Sequence, residues 1–206
     1  KNIKLLVVHC SDTKDSQNLS ALDIHKMHLK FGWDGVGYHK IINRSGKVEN
    51  GRPEYWIGAH VKGKNDISLG VCLIGKNNFT KNQFAKALVL NNRLSDAIDI
   101  FRSLSEDHPN DSGFKINLAT SLRENGEIDE SNQIIKTGFK QNFRDIDFFG
   151  YYVSNRKNKL SQDHIEYYEK LLSDQTTLSH TKVVIAYAFF EYYRNQLQYH
   201  LGFRVQ

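Results

Sequence analysis

Four of the nine histidines, all within the first sixty residues, are the side chains best suited to metal or acid–base chemistry. They are His9, His28, His39 and His60. An imidazole binds transition metals and exchanges protons near neutral pH, but a histidine packed in a core or hydrogen-bonded at a strand end is equally common. Taken alone, these residues predict a metal or acid–base site without choosing between the two.

The segments around these histidines predict a mixed α/β region. Short runs rich in branched apolar residues predict buried strands, and the turn sequence Asn-Arg-Ser-Gly at 43–46 predicts a hairpin. Ser20 followed by Asp23 forms an approximate capping box at the start of a helix. The predicted elements are strand Ile3 to His9, helix Ala21 to Phe31, hairpin strands Tyr38 to Ile42 and Lys47 to Glu49, and strand Ser68 to Ile74.

The composition is that of a globular protein. The chain has 206 residues, of which 39% are apolar and 25% charged, and its mean hydropathy is −0.55. The apolar run Leu5 to Val8 is too short for a signal peptide or a membrane span, so we expect no export signal and no membrane span. Two cysteines, Cys10 and Cys72, cannot form a disulfide framework, and we expect both to be buried thiols.

The positive charge is confined to the first part of the chain. Residues 1–80 hold 12 Lys and Arg against 7 Asp and Glu, whereas residues 81–206 hold 16 of each. Because the basic residues are dispersed and not clustered, we expect no nucleic-acid partner. A mild positive excess would suit an anionic polymer such as a cell wall.

Six ordered sequence blocks resemble one enzyme family. They are HCSDT at 9–13, IHKMH at 24–28, FGWDGVGYHKII at 31–42, SGKVENGRPE at 45–54, GAHVKGKN at 58–65 and SLGVCLIG at 68–75. These blocks resemble the zinc-dependent N-acetylmuramoyl-L-alanine amidases, which include phage amidase-type lysozymes and, more distantly, peptidoglycan recognition proteins. The resemblance implies a mixed sheet with helices packed on it, a peptidoglycan cleft, and hydrolysis of the amide between muramic acid and L-alanine. For a phage protein it also implies action from the host cytoplasm.

The resemblance also implies roles for individual residues. His9 would be the first ligand of a catalytic Zn²⁺, and Tyr38 would be the catalytic residue beside the metal. His39, His60 and Asn65 would contact the substrate. The alternative for Tyr38 is a strand tyrosine that caps the core.

The chain departs from the family pattern in its second half. There the family supplies a second histidine and a cysteine followed by proline, but this sequence has no cysteine after Cys72 and no Cys-Pro pair. A catalytic zinc needs three protein ligands, so we expect Zn²⁺ binding to be weak or absent and the chain to be inactive as it stands. His108, His164, His180 and His200 are expected to be ordinary residues of the helical region.

Residues after 80 show a repeated apolar pattern. Six matched pairs stand 34 residues apart: Phe84 and Leu118, Ala85 and Ala119, Leu88 and Leu122, Leu94 and Ile128, Ala97 and Ser131, Phe101 and Ile135. This spacing resembles the tetratricopeptide repeat over about 78–175. It implies helical hairpins, with a helix-ending glycine at Gly126, and a protein or peptide partner. A helical bundle without true repeats is the alternative.

The sequence therefore predicts an incomplete amidase-like domain at 1–80 followed by an all-α repeat region at 78–206. Three functions remain open at this point. The chain is an amidase, a non-catalytic module that binds peptidoglycan or protein, or a truncated or spliced reading frame.

Overall fold

The computed structural model describes residues 2–202, and the side chains of residues 2–197. The chain divides into two compact units, 1–104 and 105–206, which are described separately. The strands are β1 (Leu5–Cys10), β2 (Lys40–Ile42), β3 (Val48–Asn50) and β4 (Ser68–Leu73). The helices are α1 (Ala21–Lys30), α2 (Lys81–Leu90), α3 (Leu94–Asp107), α4 (Ser112–Glu124), α5 (Ile128–Gln141), α6 (Ile146–Ser154), α7 (Gln162–Ser173) and α8 (Ser179–Gly202).

The first unit is built on a mixed four-stranded sheet, as the sequence predicts. Its strand order is β1-β4-β2-β3. β4 lies at the centre and is parallel to both β1 and β2, whereas β2 and β3 form an antiparallel hairpin. The register sets His9 opposite Cys72. The last residues of β1 therefore lie beside the most buried strand of the unit.

Each face of the sheet has its own apolar cluster. Ile24 of α1 packs against Ile41, Cys72 and Ile74. Ala87 of α2 belongs to the other cluster, whose strand residues are Ile42, Val71 and Leu73. Consecutive residues of a strand point to opposite faces of the sheet. Neighbouring residues of one strand, such as Ile41 and Ile42 of β2, therefore belong to different clusters. Both helices begin with capping boxes, at Ser20 and at Thr80.

In α2 the apolar side chain of Phe84 is 53% exposed and does not cover the sheet. The polar Gln83 takes the buried position instead. Its Nε2 donates to the carbonyl oxygens of Ile42 and Ile74, at 3.2 and 2.9 Å, and so ties α2 to the ends of β2 and β4.

The second unit is helical and has an aromatic core. Phe149 stacks on Tyr168 with ring centroids 3.7 Å apart, and Phe139 stacks on Tyr152 at 4.1 Å. The hydroxyl of Ser131 donates to the carbonyl oxygen of Ala119, so this buried polar side chain is satisfied where the repeat pattern favours alanine. Within residues 2–202, no helix combines the length and apolar character that crossing a bilayer requires.

The boundaries of α3 and α5 are related by the 34-residue spacing seen in the sequence. α3 begins at Leu94 and ends at Asp107, and α5 begins at Ile128 and ends at Gln141, so both ends are displaced by 34 residues. Gly126, which follows α4, has a φ of +91°. The next two helices do not continue this spacing, because α6 and α7 have only 9 and 12 residues.

Candidate active site

Three side chains that are distant in sequence come together beside the end of β1. His9 Nε2 lies 3.2 Å from His60 Nδ1, within hydrogen-bond distance. The ring of Tyr38 stands 5.4 Å from that of His9 and 6.4 Å from that of His60, measured between centroids. All three side chains are half-buried. This group, His9, Tyr38 and His60, is called the histidine–tyrosine cluster below.

His60 is held in place by the loop that carries it. The carboxamide oxygen of Asn65 accepts hydrogen bonds from the backbone N–H groups of His60 and Val61, at 3.0 and 2.9 Å. Ser68 Oγ lies 3.4 Å from His60 Nε2. We expected Asn65 to contact substrate, but its carboxamide oxygen is occupied in shaping this loop.

Two glycines make room for the His60 ring. A Cβ atom at Gly70 would lie 2.5 Å from His60 Cδ2 and Cγ, and one at Gly58 would also lie 2.5 Å from His60 Cδ2. Carbon atoms do not approach this closely without displacement. The ring therefore occupies a slot that any larger residue at either position would partly fill.

Tyr38 is a hydrogen-bond donor at neutral pH. Burial raises the pKa of its phenol to about 12, and the pKa of the neighbouring Cys72 thiol is also raised to about 12 by burial. The phenol bonds to the Cys72 thiol, which further favours the protonated phenol. A group that keeps its proton in this way can polarise a carbonyl oxygen but is a poor base.

His28 and His9 are kept largely neutral by their surroundings. Burial lowers the pKa of both imidazoles. His28 Nδ1 accepts the N–H of Gly37 at 3.2 Å, and its ring lies 4.5 Å from that of Trp33 and 5.5 Å from that of Tyr38. His28 thus supports the segment that carries Tyr38.

His39, which was expected to contact substrate, is a buried side chain. Its side chain is only 1% exposed. The N–H of Gly70 donates to its Nδ1 at 2.9 Å, and its Nε2 lies 3.2 Å from the carbonyl oxygen of Trp56. Because Nδ1 accepts, Nε2 carries the proton and donates to Trp56. His39 therefore ties the loop after β3 to β4.

The described residues do not supply a three-ligand zinc site. Among the residues that the structure describes, no group of three His, Cys, Asp or Glu side chains could hold a metal. In the described part of the chain, His9 and His60 are close neighbours without a third donor of these types. The three-ligand zinc centre that the resemblance implies thus does not fit these residues.

The other candidate donors have structural positions. His164 belongs to the capping box at the start of α7, His180 is exposed in the first turn of α8, and the ring of His108 packs 5.4 Å from that of Phe114. The side chain of His200 lies outside the described residues. Cys10 was expected to be buried but is exposed, because it lies at the end of β1, whereas Cys72 is buried as predicted.

Comparison with known proteins places this site in a family. The family model for N-acetylmuramoyl-L-alanine amidase matches residues 1–108. The endolysin of Escherichia phage T7 is 53% identical over 70 residues, which cover 34% of this chain and 46% of that protein. The chain therefore spans less than half the length of this relative.

Two further similarities extend beyond phage proteins. The N-acetylmuramoyl-L-alanine amidase of Homo sapiens is 32% identical over 67 residues, covering 32% of this chain and 12% of that protein. The structure of N-acetylmuramoyl-L-alanine amidase LysC from Clostridium intestinale has a TM-score of 0.41 at 28% identity, over 46% of this chain and 64% of that chain. Because the family model covers more than half of its residues, this chain belongs to the N-acetylmuramoyl-L-alanine amidase family.

Proposed function

We propose that this chain binds peptidoglycan at the histidine–tyrosine cluster, around the amide that joins muramic acid to L-alanine. The observation that carries the proposal is the approach of His9, Tyr38 and His60 at one half-buried position in a chain of the amidase family. The positive excess of residues 1–80 would favour an anionic wall polymer.

Each residue of the cluster has a chemical role in this proposal. The Tyr38 hydroxyl keeps its proton, so it can turn from Cys72 and donate to the carbonyl oxygen of the substrate amide. The ring nitrogens of His9 and His60 can donate or accept hydrogen bonds, which suits the N–H and C=O groups of a peptide. The cluster can therefore orient an amide by hydrogen bonds alone.

We further propose that the chain, as it stands, does not hydrolyse this amide. Water becomes a strong nucleophile at neutral pH when a zinc held by three protein ligands lowers its pKa. The described residues offer two imidazoles at this point, and Tyr38 is a poor base. Substrate binding without amide cleavage is the function that this set of residues supports best.

Binding can be tested by co-sedimentation with purified, insoluble peptidoglycan. We expect the chain to sediment with the polymer, and Tyr38→Ala and His60→Ala to reduce the bound fraction about tenfold, since each removes a hydrogen-bonding group from the cluster. Phe84→Ala, an exposed position on α2, is the matched control and should bind as the parent does. The proposal would be overturned if Tyr38→Ala and His60→Ala both sedimented with peptidoglycan as the parent chain does.

The helical region supports a second candidate function, the binding of a protein or peptide. α4, α6 and α8 line an open cavity of about 640 Å³ whose walls are mainly apolar. Val183 and Tyr187 of α8, which line it, are 67% and 66% exposed.

We keep as proposals the tetratricopeptide assignment and the division into 1–80 and 78–206. Saturable binding of peptides from a library, lost in Tyr187→Asp, would support this candidate, and absence of any saturable binding would contradict it.

A further inference from the structure

We propose that the outer edge of β1 pairs with β1 of a second copy of this chain, so that two sheets join into one across a twofold axis. The inference goes beyond the proposed function and needs no peptidoglycan. It starts from the strand order, in which β1 lies at one end of the sheet and pairs with β4. An edge strand offers its N–H and C=O groups to any strand that can align with it.

The backbone groups of β1 divide between the two sides of the strand. The N–H groups of Leu5 and Ser11 donate to carbonyl oxygens on the β4 side, at 3.2 and 3.0 Å. Alternate residues of a parallel strand bond to the same neighbour, so the odd-numbered residues of β1 face β4. The N–H and C=O groups of Leu6, Val8 and Cys10 therefore point to the open edge, where no strand within residues 2–202 pairs with them.

This edge lacks the features that usually keep sheet edges from pairing. β1 has six residues and contains no Lys, Arg, Asp, Glu or Pro, and the side chain of Val8 is 49% exposed. β3, at the other end of the sheet, has three residues and carries Glu49, whose carboxylate accepts the N–H of Ala21. Short length and charge are common means of blocking an edge, so β1 is the edge that is open to a partner.

Backbone geometry selects one register for two copies of β1. A twofold axis makes the strands antiparallel, and it must relate residues whose backbone groups point outwards. Centring the pair on Val8 sets Val8 opposite its own copy and Leu6 opposite Cys10 of the second chain, and each such pair exchanges both N–H···O bonds. Centring it on Leu6 or on Cys10 would set the other outward residues opposite residues outside β1. The register centred on Val8 also covers this exposed side chain with its copy.

The same register matches charges at the ends of the strands. Lys4, just before β1, comes opposite Asp12 of the second copy, just after β1. The Asp12 side chain is 70% exposed, although it pairs with Lys76 within its own chain. Opposite charges across antiparallel strands stabilise their pairing, and twofold symmetry repeats the contact at the other end. The edge is thus complementary to itself, and its small area predicts a weak, reversible dimer.

The first test measures the mass of the whole chain by sedimentation equilibrium at up to about 1 mM, the range of weak association. We expect the 23.8 kDa chain to form a reversible dimer. Val8→Lys places two ammonium groups opposite each other and should raise the dissociation constant at least about tenfold. Leu178→Lys is the matched control, because it changes an apolar side chain that is 74% exposed and lies outside β1. It should keep the parent constant.

The second test examines the register by cross-linking. Opposed residues of a hydrogen-bonded antiparallel pair have Cα atoms about 5.5 Å apart, which is within disulfide range. In a Cys10→Ser background, Val8→Cys should therefore form an intermolecular disulfide on oxidation, whereas Leu178→Cys should not. The two Cys10 residues of a parent dimer would stand about 14 Å apart along the strands, so we expect the oxidised parent to remain without a cross-link.

A chain that stays monomeric at every concentration would overturn the inference. So would a folded Val8→Lys chain that dimerises with the parent constant, or equal cross-linking of Val8→Cys and Leu178→Cys. Thermal melts establish that each variant is folded. Because no peptidoglycan is present, failure to dimerise would leave the proposed binding function standing, and failure to bind peptidoglycan would leave the dimer standing.

Discussion

Gln83 Nε2 donates to the carbonyl oxygen of Ile74 at 2.9 Å and thereby joins the first turn of α2 to the end of β4. The same amide nitrogen donates to Ile42 at the end of β2, and Gln83 Oε1 accepts the N–H of Thr80 at 3.1 Å. One side chain thus completes a helix start and two strand ends. It is completely buried.

We expect Gln83→Leu to lower the free energy of unfolding by about 1–3 kcal/mol, because the carbonyl groups of Ile42 and Ile74 would each lose a buried donor and the N–H of Thr80 would lose its acceptor. Urea unfolding followed by circular dichroism measures this difference. Phe84→Ala, on the exposed side of α2, should change it by less than about 0.5 kcal/mol. A larger loss at Phe84 than at Gln83 would contradict the described packing of α2.

Regular elements were predictable where local signals determine them. The capping residue Ser20 and the turn at 43–46 act through near neighbours in sequence, so α1 and the hairpin appear close to their predicted bounds. The burial of Gln83 in place of Phe84 depends on the carbonyl groups of two distant strands. No periodicity within the helix could reveal it.

The site was predictable in its members but not in their roles. His9, Tyr38 and His60 were all chosen from the sequence, and they do come together. Whether a polar side chain faces substrate or backbone depends on contacts across the fold, as His39 and Asn65 illustrate. The slot at Gly58 and Gly70 had no sequence signal beyond the two glycines themselves.

The helix end at Gly126 gives a test of the helical region. Its φ of +91° lies in the range that favours glycine, and a Cβ there would meet no heavy atom within 4 Å. We expect Gly126→Val to destabilise the chain by about 1 kcal/mol or more through backbone strain alone. Asn125→Ala should destabilise the chain less than Gly126→Val does. Equal and negligible shifts in thermal melts would show that the helix does not end in this way.

Stability should fall in mildly acidic solution. Burial lowers the pKa of His28 below its ordinary value of 6.5, so the unfolded chain binds more protons than the folded chain below this pH. The contribution of His28 is therefore complete above about pH 6.5 and is lost as the pH falls towards the lowered folded-state pKa. We expect the free energy of unfolding to decrease from pH 7 to pH 5.

His28→Gln retains an acceptor for the N–H of Gly37 but does not titrate. It should therefore reduce the pH dependence of unfolding, measured by urea melts across this range. His180→Gln, at an exposed position of α8, serves as the control and should keep the parent dependence. An unchanged dependence in His28→Gln would show that this histidine does not contribute.

We expect the four-stranded sheet to require α2 in order to fold. Ala87 covers the face formed by Ile42, Val71 and Leu73, so a chain that ends at Gly75 would expose this apolar surface to water. We expect it to aggregate or to give poorly dispersed nuclear magnetic resonance spectra, and a chain that ends near Leu94 to behave better. A well-dispersed spectrum from the shorter chain would contradict this role of α2.

We propose that this member of the amidase family binds a muramyl-peptide amide without cleaving it. The most direct measurement incubates the purified chain, without added metal, with a soluble muramyl peptide and follows binding by calorimetry and peptide release by mass spectrometry. We expect saturable binding that Tyr38→Ala weakens, and no released peptide. Release of an L-alanine peptide that a chelator and His9→Ala both abolish would contradict the account.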